Sequence, residues 1–394
     1  MAAREITANI YSVGIINWDL RVFDGVMPTP YGTSNNAYVV KGSEKTALID
    51  SGEPSSETEF ITNLMKLDLN SLDYIVCLHA EQDHSGLLPL LLDVFPMAKI
   101  VTGEVCKGLL ISMHDLQEPD ERFIVVGDGE TLSLGDKTLK FHLAPNVHWP
   151  DTMFAEVVED KVLFTSDFLG AHYASSELFS DDDCPQYLDA VKRYYSVIMM
   201  PFRGSVLEHL EKVKEINPVF IAPAHGPVLK TPAKVADLYA DWASDKVRNK
   251  VVVAYVSMHG STKQMAEFLT DSLVERGVPV SLYNLLETDS GILAPAVVDA
   301  GTIILAAPTM LYGPHPAAVN AAYLLRAVRP KAKYLGIIGS FGWHSVAVEY
   351  LSDMLSPLGA DVLEPVYIKG VPDEDAIVKL HNLADVIAEK HREL

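Results

Sequence analysis

Tyr74-Ile75-Val76-Cys77-Leu78 runs directly into His79-Ala80-Glu81-Gln82-Asp83-His84, and the reading of this junction decides the first half of the chain. The apolar run is short and rich in β-branched and aromatic side chains, which predicts a buried strand. Two imidazoles and two carboxylates follow at once, a poor composition for an ordinary turn. Side chains alternate in an extended segment, so His79, Glu81 and Asp83 are expected on one face, with His84 beside Asp83 where the chain turns. Ser85 is expected to cap a helix through Leu87 to Leu92, in which Pro89 falls early enough to be tolerated. The competing explanation is a solvated acidic loop that caps a helix, and it leaves the interleaved histidines without a purpose. One polar loop at a strand end can serve two neighbouring cations. It reads as half of a binuclear metal site.

Three further candidate ligands lie at strand ends or in loops, where rigid sheets present functional side chains. His148 falls in Asn146-Val147-His148-Trp149-Pro150-Asp151, Asp167 follows Val162-Leu163-Phe164-Thr165-Ser166, and His225 lies in Ala222-Pro223-Ala224-His225-Gly226-Pro227 after Val219-Phe220-Ile221. Strands are expected over residues 37–40 and 46–50, as a hairpin around Lys41-Gly42-Ser43-Glu44, and again over 100–102, 123–126, 131–134, 138–143, 154–158 and 162–166. Phe60, Ile61, Leu64 and Leu67 recur at helical spacing, and a second helix is expected near 105–113. This order suggests two sheets flanked by helices rather than a doubly wound sheet. A lone buried histidine is usually a satisfied polar group. The argument therefore rests on the whole set: His79, Glu81, Asp83, His84, His148, Asp167 and His225. Imidazole and carboxylate without thiolate fit iron, manganese or zinc, and the oxygen-rich balance favours a harder, redox-active ion.

The pattern changes near residue 248. A polar helix over 236–245 gives way to alternating strands (251–256, 278–283, 302–307, 334–338, 362–368) and helices (263–275, 295–300, 317–327, 345–355, 374–390). That is the arithmetic of a small doubly wound, five-stranded parallel domain. The boundary is placed at 248–250, giving domains 1–248 and 249–394. Its first strand ends in Ser257-Met258-His259-Gly260-Ser261-Thr262-Lys263, a hydroxyl-rich loop entering a helix, which suits a terminal monophosphate. Pro308-Thr309-Met310-Leu311-Tyr312-Gly313 and Ser340-Phe341-Gly342-Trp343-His344 follow strands on the same edge, where such sheets bind ligands. Trp343, with Tyr312 or His259, can stack on a flavin ring.

Composition bounds the partners. The 394 residues carry 31 Lys and Arg against 53 Asp and Glu, a net charge of −22, which argues against nucleic acid and anionic membrane surfaces. Cys77, Cys106 and Cys184 are the only cysteines and show no CxxC spacing, so a disulfide framework or a thiolate-held cluster is unsupported. There is no signal-peptide pattern and no apolar run of roughly 18 residues. Reducing cytoplasm is the expected setting.

The ligand loop resembles that of the metallo-β-lactamase superfamily, H-x-H-x-D-H, with Glu81 in place of the second histidine. The form H-x-E-x-D-H resembles the flavodiiron proteins (A-type flavoproteins). That resemblance spans essentially the whole chain. It implies a metallo-β-lactamase-like αββα sandwich joined to a flavodoxin-like FMN domain, the latter resembled through S-M-x-x-S-T, P-T and S-x-G-W. Residue by residue it implies one iron on His79, Glu81 and His148, a second on Asp83, His84 and His225, and Asp167 bridging them. His172 and Tyr195 match positions beside the metals. His259, Leu311, Tyr312 and the pair His344-Ser345 depart from the family's FMN loops.

The resemblance implies a non-haem di-iron oxidoreductase fed by FMN that reduces dioxygen to water, nitric oxide to nitrous oxide, or both. It further implies a head-to-tail homodimer or dimer of dimers. The electron donor would be a separate rubredoxin-like protein, a reduced deazaflavin or an NAD(P)H-linked reductase. Two alternatives stand beside it. One is a binuclear zinc hydrolase of metallo-β-lactamase type fused to a flavodoxin-like domain, against which Glu81 and the flavin module both speak. The other is an electron-transfer flavoprotein with a relict metal domain.

Overall fold

The computed structural model describes residues 3–69, 71–114, 116 and 120–394. Two units make up the chain: Met1–Gly25 with Thr29–Tyr195 and Phe202–Ala240, and a second of Val26–Pro28, Ser196–Pro201 and Asp241–Leu394.

In the first unit, period-two patterning sorts side chains between two cores. Along Tyr38–Lys41 and Thr46–Ile49, Val40, Ala47 and Ile49 face one way, and Val39 and Leu48 the other. The first set, continued by Val76 and Val101, meets Phe141, Ala155, Val157 and Phe164 of a second sheet. The other set, continued by Ile75, Cys77 and Ile100, packs beneath helices through Phe60, Leu64, Leu88, Leu91 and Leu110. Burying one side chain of this size contributes roughly 1.5–3 kcal/mol, so a one-residue slip of any strand would be expensive.

The first sheet runs Arg4–Thr7, Ile10–Ser12, Tyr38–Lys41, Thr46–Ile49, Tyr74–Val76, Lys99–Thr102, Phe123–Val125, antiparallel up to Thr46–Ile49 and parallel beyond it. The second runs Thr131–Ser133, Thr138–Leu143, Met153–Val157, Val162–Phe164, Phe220–Ala222. Helices Arg203–Ile216 and Pro232–Ala243 back its outer face, where Phe154 meets His209 at 6.1 Å and Phe168 meets Tyr239 at 5.9 Å. The result is the αββα sandwich.

Strand direction decides where the ligands go. Thr138–Leu143 and Val162–Phe164 both run antiparallel to Met153–Val157, and Phe220–Ala222 runs parallel to Val162–Phe164. The chain therefore leaves all three at one edge, towards His148, Asp167 and His225. At that edge Met153 N–H donates to the Leu78 carbonyl at 3.0 Å, joining the second sheet to the stretch that carries His79.

Two local expectations differ from the structure. Gln82–Ser85 forms a single helical turn, so Asp83 and His84 swing away from the face shared by His79 and Glu81. Ser85 does not cap the next helix. Its hydroxyl donates back to the Ala80 carbonyl at 2.6 Å and lies 2.8 Å from His114 Nε2, while helix Leu88–Val94 starts after Leu87 with Pro89 in its first turn.

The second unit has strand order Val280–Asn284, Arg248–Tyr255, Ala300–Met310, Tyr334–Phe341, then Asp361–Val362 and Val366–Lys369, these parallel, with the short Gly313–Pro314 antiparallel on Ala300–Met310. The fifth expected strand is thus two short ones on the same neighbour. The helix expected over 295–300 is Ser290–Val297, whose start is fixed by Asp289 accepting from Ile292 N–H at 3.0 Å. The order reverses between Arg248–Tyr255 and Ala300–Met310, which puts a ligand crevice at their carboxyl ends.

Candidate metal centre and flavin cleft

The seven expected ligands form two adjoining groups in the first unit: His79, Glu81, His148 and Asp167, and Asp83, His84 and His225. In the first, Glu81 Oε2 lies 3.2 Å from both His79 Nε2 and His148 Nε2. In the second, Asp83 Oδ2 lies 3.0 Å from His225 Nε2, and Asp83 Oδ1 lies 3.4 Å from His84 Nε2. Asp167 touches both. Its Oδ2 is 3.4 Å from His148 Nε2 and 3.8 Å from His79 Nε2, while its Oδ1 is 3.2 Å from His84 Nε2 and 3.4 Å from His225 Nε2.

The other nitrogen of two rings is hydrogen-bonded, and that of a third lies near a carboxylate. His79 Nδ1 meets the Asp151 carboxylate at 3.1 Å, and His225 Nδ1 donates to the Ser34 carbonyl at 2.7 Å. His84 Nδ1 lies 3.8 Å from Asp50, whose other oxygen accepts from Leu78 N–H at 2.9 Å. Such outer contacts fix the tautomer and turn each Nε2 inward. Asp83 Oδ1, His84 Nε2 and Asp167 Oδ2 are buried with no hydrogen-bond partner among the described residues. Convergent bare donors of this kind fit two divalent cations.

Electrostatics make the same point. Burial alone would favour a neutral Glu81, yet His148 and His79 pull its carboxyl down to about 2. Burial opposes charge on His148 and His225, but Asp167 and Glu81 hold the first up at about 9, and Asp167 and Asp83 do the same for the second. His84 is raised well above its ordinary range by Asp167 and Asp83 in spite of burial. Burial would raise Asp167, and the three imidazoles hold it well below the usual carboxylate range instead. Three carboxylates in one pocket demand positive charge. Metal-free, protons on the imidazoles supply it.

Several contributing residues were not singled out from sequence. Asp151 sits in the same loop as His148 and also accepts from Ala80 N–H at 2.8 Å, a proximity that could have flagged it. Asp50 ends the strand beside Tyr74–Val76. Tyr194, which the sequence reading passes over beside the expected Tyr195, donates to Asp167 Oδ1 at 2.7 Å. Tyr195 instead packs its ring on Tyr239 at 5.0 Å. Consecutive helical residues point about 100° apart, so only one of the pair can face the site. His172 lies 4.8 Å from the His225 ring and 5.0 Å from Tyr194, with Nδ1 held by Thr33 Oγ1 at 2.8 Å. Burial and the neighbouring His225 keep it neutral, and its Nε2 is buried without a hydrogen-bond partner among the described residues. Phe23 covers His172 at 4.4 Å. A cleft of about 620 Å³, lined by Phe23, Glu81, Asp83 and Trp149 among others, opens onto the ligands.

In the second unit the three expected loops all leave the carboxyl ends of parallel strands. Gly260 adopts φ +96° and opens helix Ser261–Glu275, which no side chain among the described residues caps, so its first N–H groups are available to a phosphate. Ser257 Oγ accepts from Gly260 N–H at 3.1 Å. Thr262 is buried, and its hydroxyl lies 3.4 Å from Ser340 Oγ, tying the first loop to the third. Met258, Met310, Leu311, Tyr312 and Trp343 are exposed, with Tyr312 and Trp343 6.4 Å apart and nearly perpendicular. Phe341 is turned away to stack on Tyr367 at 6.1 Å. An uncapped helix start beside two exposed aromatics fits a flavin mononucleotide.

The family described as ODP family beta lactamase matches residues 33–226. A coenzyme F420H(2) oxidase of Methanothermobacter marburgensis is 35% identical, over 95% of both chains, and a rubredoxin-oxygen oxidoreductase of Megalodesulfovibrio gigas is 33% identical over 98% of both. The solved rubredoxin oxygen:oxidoreductase of Desulfovibrio gigas superposes with a TM-score of 0.94 at 32% identity, covering 99% of each chain. The flavodiiron protein of Giardia intestinalis gives 0.91 at 28%, covering 99% of this chain and 98% of that one. This chain is a flavodiiron protein. As a flavodiiron oxidoreductase it joins a metallo-β-lactamase-like unit to a flavodoxin-like unit, and its two ligand groups are consistent with a di-iron site.

At pH 7 the metal-free protein carries protons on His84, His148 and His225, which a metal must displace, so loading ferrous ion should release about three protons per chain. Affinity should climb as pH rises towards 9 and fall on acidification. Calorimetry in buffers of different ionisation enthalpy reads this directly, and heats independent of buffer would contradict it. Asp151→Asn should weaken metal binding at the first group by about 10–100-fold while leaving Asp83, His84 and His225 loaded. Equilibrium dialysis should therefore find close to one tight metal per chain in that variant.

Proposed function

We propose that this chain reduces dioxygen to water or nitric oxide to nitrous oxide at two iron ions, with FMN in the strand-end crevice of the second unit delivering the electrons. His79, Glu81 and His148 would hold one iron, Asp83, His84 and His225 the other, with Asp167 shared. The observation that carries this is the anionic first group, where Glu81 and Asp167 face the same two imidazoles. Carboxylate ligands stabilise the more oxidised ion, which redox turnover needs and hydrolysis does not. When bound, the irons supply electrons and an open position for the diatomic, and FMN replenishes them.

The chain's own residues handle protons and access. Tyr194 donates to Asp167 and thereby draws charge from the carboxylate that would hold both irons. His172, neutral and oriented by Thr33, offers Nε2 to a product-bound proton. Phe23 and Trp149 supply apolar wall beside the ligands in a cleft that Asp24, Glu53 and Gln82 also line.

The exposed apolar rim of the flavin loops, with Leu311 73% and Trp343 69% accessible, supports a head-to-tail homodimer in which one copy's flavin serves its partner's irons. The donor would be a rubredoxin-like protein, a reduced deazaflavin or an NAD(P)H-linked reductase. Among the described residues no helix is long and apolar enough to cross a membrane.

Metal and flavin analysis of purified protein should find about two irons and one FMN per chain; zinc without a yellow chromophore would sink the reading. Anaerobic stopped-flow of the reduced protein against each gas then assigns the acceptor. Glu81→His should retain two metals yet lose at least tenfold in reoxidation rate, and an unchanged rate would remove the argument from the anionic group.

A further inference from the structure

Behind the flavin loops lies a row of hydroxyl groups that ends on Tyr367. Strand pairing sets Ala307, Gly339 and Tyr367 side by side on three neighbouring strands. Gly339 carries no side chain, and a Cβ there would lie 2.6 Å from Tyr367 Cε2 and collide with the Ala307 carbonyl. The bare glycine lets the phenol lie across the middle strand and reach the Ala307 carbonyl, 3.0 Å away on the strand beyond. The same hydroxyl is 3.0 Å from Thr309 Oγ1, which in turn is 2.6 Å from Ser345 Oγ. Thr309 belongs to the second flavin loop, and Ser345 follows the third.

Hydrogen counting fixes the direction of this row. A carbonyl only accepts, so Tyr367 spends its single hydrogen on Ala307. Its oxygen must then accept from Thr309, and Thr309, its own hydrogen committed, must accept from Ser345. Ser345 is satisfied at its other side by accepting from Ala347 N–H at 3.1 Å, at the start of helix Ala347–Leu355. Every hydrogen points from Ser345 through Thr309 and Tyr367 to Ala307. Thr309 is half-buried at the edge of the crevice with a lone pair to spare and no hydrogen to give.

We propose that Tyr367 and Ser345 are positioning residues that lock Thr309 as a hydrogen-bond acceptor towards FMN, favouring the reduced flavin. Reduction adds an N–H to the isoalloxazine, and an acceptor stabilises the form that carries more donors. This rests on the reading that the crevice takes FMN.

The test measures FMN affinity and the two-electron flavin potential of the full-length protein and its variants. Tyr367→Phe keeps the ring over Gly339 and against Phe341, so the fold is retained, but it frees the Thr309 hydrogen to turn towards the flavin. Reduced FMN should then bind about tenfold more weakly relative to oxidised FMN, a fall of about 30 mV in the two-electron potential. Thr309→Val should produce a similar fall, Thr309→Ser should hold the wild-type potential, and Tyr367→Phe added to Thr309→Val should produce no further fall. FMN uptake with an unchanged potential in Tyr367→Phe, or additive falls in the double variant, overturns the inference alone. A wild-type protein that takes up no FMN overturns the flavin reading along with it.

Discussion

The first unit depends on one buried carboxylate being shared. Asp167 is almost wholly enclosed, and its two oxygens face different imidazole pairs. An ionised carboxylate in such a place is tolerated only when positive charge surrounds it. The backbone holds it there tightly. Ser166 and Leu169 both take positive φ, Gly170 N–H donates back to the Asp167 carbonyl at 3.0 Å, and Ala224 N–H donates to the Ser166 carbonyl at 2.7 Å. A Cβ on Gly170 would sit 3.1 Å from that Asp167 carbonyl and 3.2 Å from the carbonyl of His225. The loops carrying the shared carboxylate and His225 are thus packed backbone to backbone, and neither can drift from the other.

The remaining ligands inherit their places from this arrangement and from the sheet edge. Parallel and antiparallel pairing brings the loops after Thr138–Leu143, Val162–Phe164 and Phe220–Ala222 to one end. Contacts on the far sides of His79 and His225 then aim those rings, so the donor set is preformed. The second unit solves a different problem by comparable means. A switch point in the strand order opens a crevice, a helix start presents N–H groups to it, and hydroxyl contacts between Thr262 and Ser340 and between Thr309 and Ser345 hold the loops in register.

How much of this could be read beforehand follows from the physics of each signal. The strands were legible because a half-buried strand must alternate, as Val39 and Val40 do between two cores. The candidate ligands stood out because histidines interleaved with acids have few structural uses, and the fold gathers them into two groups. The turn Gln82–Ser85 was not, since a four-residue helix gives no periodicity to detect; yet that turn sends Asp83 and His84 to a different group from His79 and Glu81. Tyr194 and Tyr195 are chemically alike, and only the rotation of helix Pro185–Tyr194 about its axis chooses between them. Asp50 and Tyr367 act through residues distant in sequence, and no local pattern carries that information, whereas Asp151 had only its place in the His148 loop to mark it.

On the proposed reading, Asp167 would join two irons into one electronic unit. Mössbauer spectroscopy on oxidised protein loaded with the isotope of iron it detects tests this most directly. Two ferric ions per chain, coupled to a diamagnetic ground state in the wild type and uncoupled in Asp167→Asn, are the predicted result. Magnetically isolated high-spin ferric ions in the wild-type protein would contradict it.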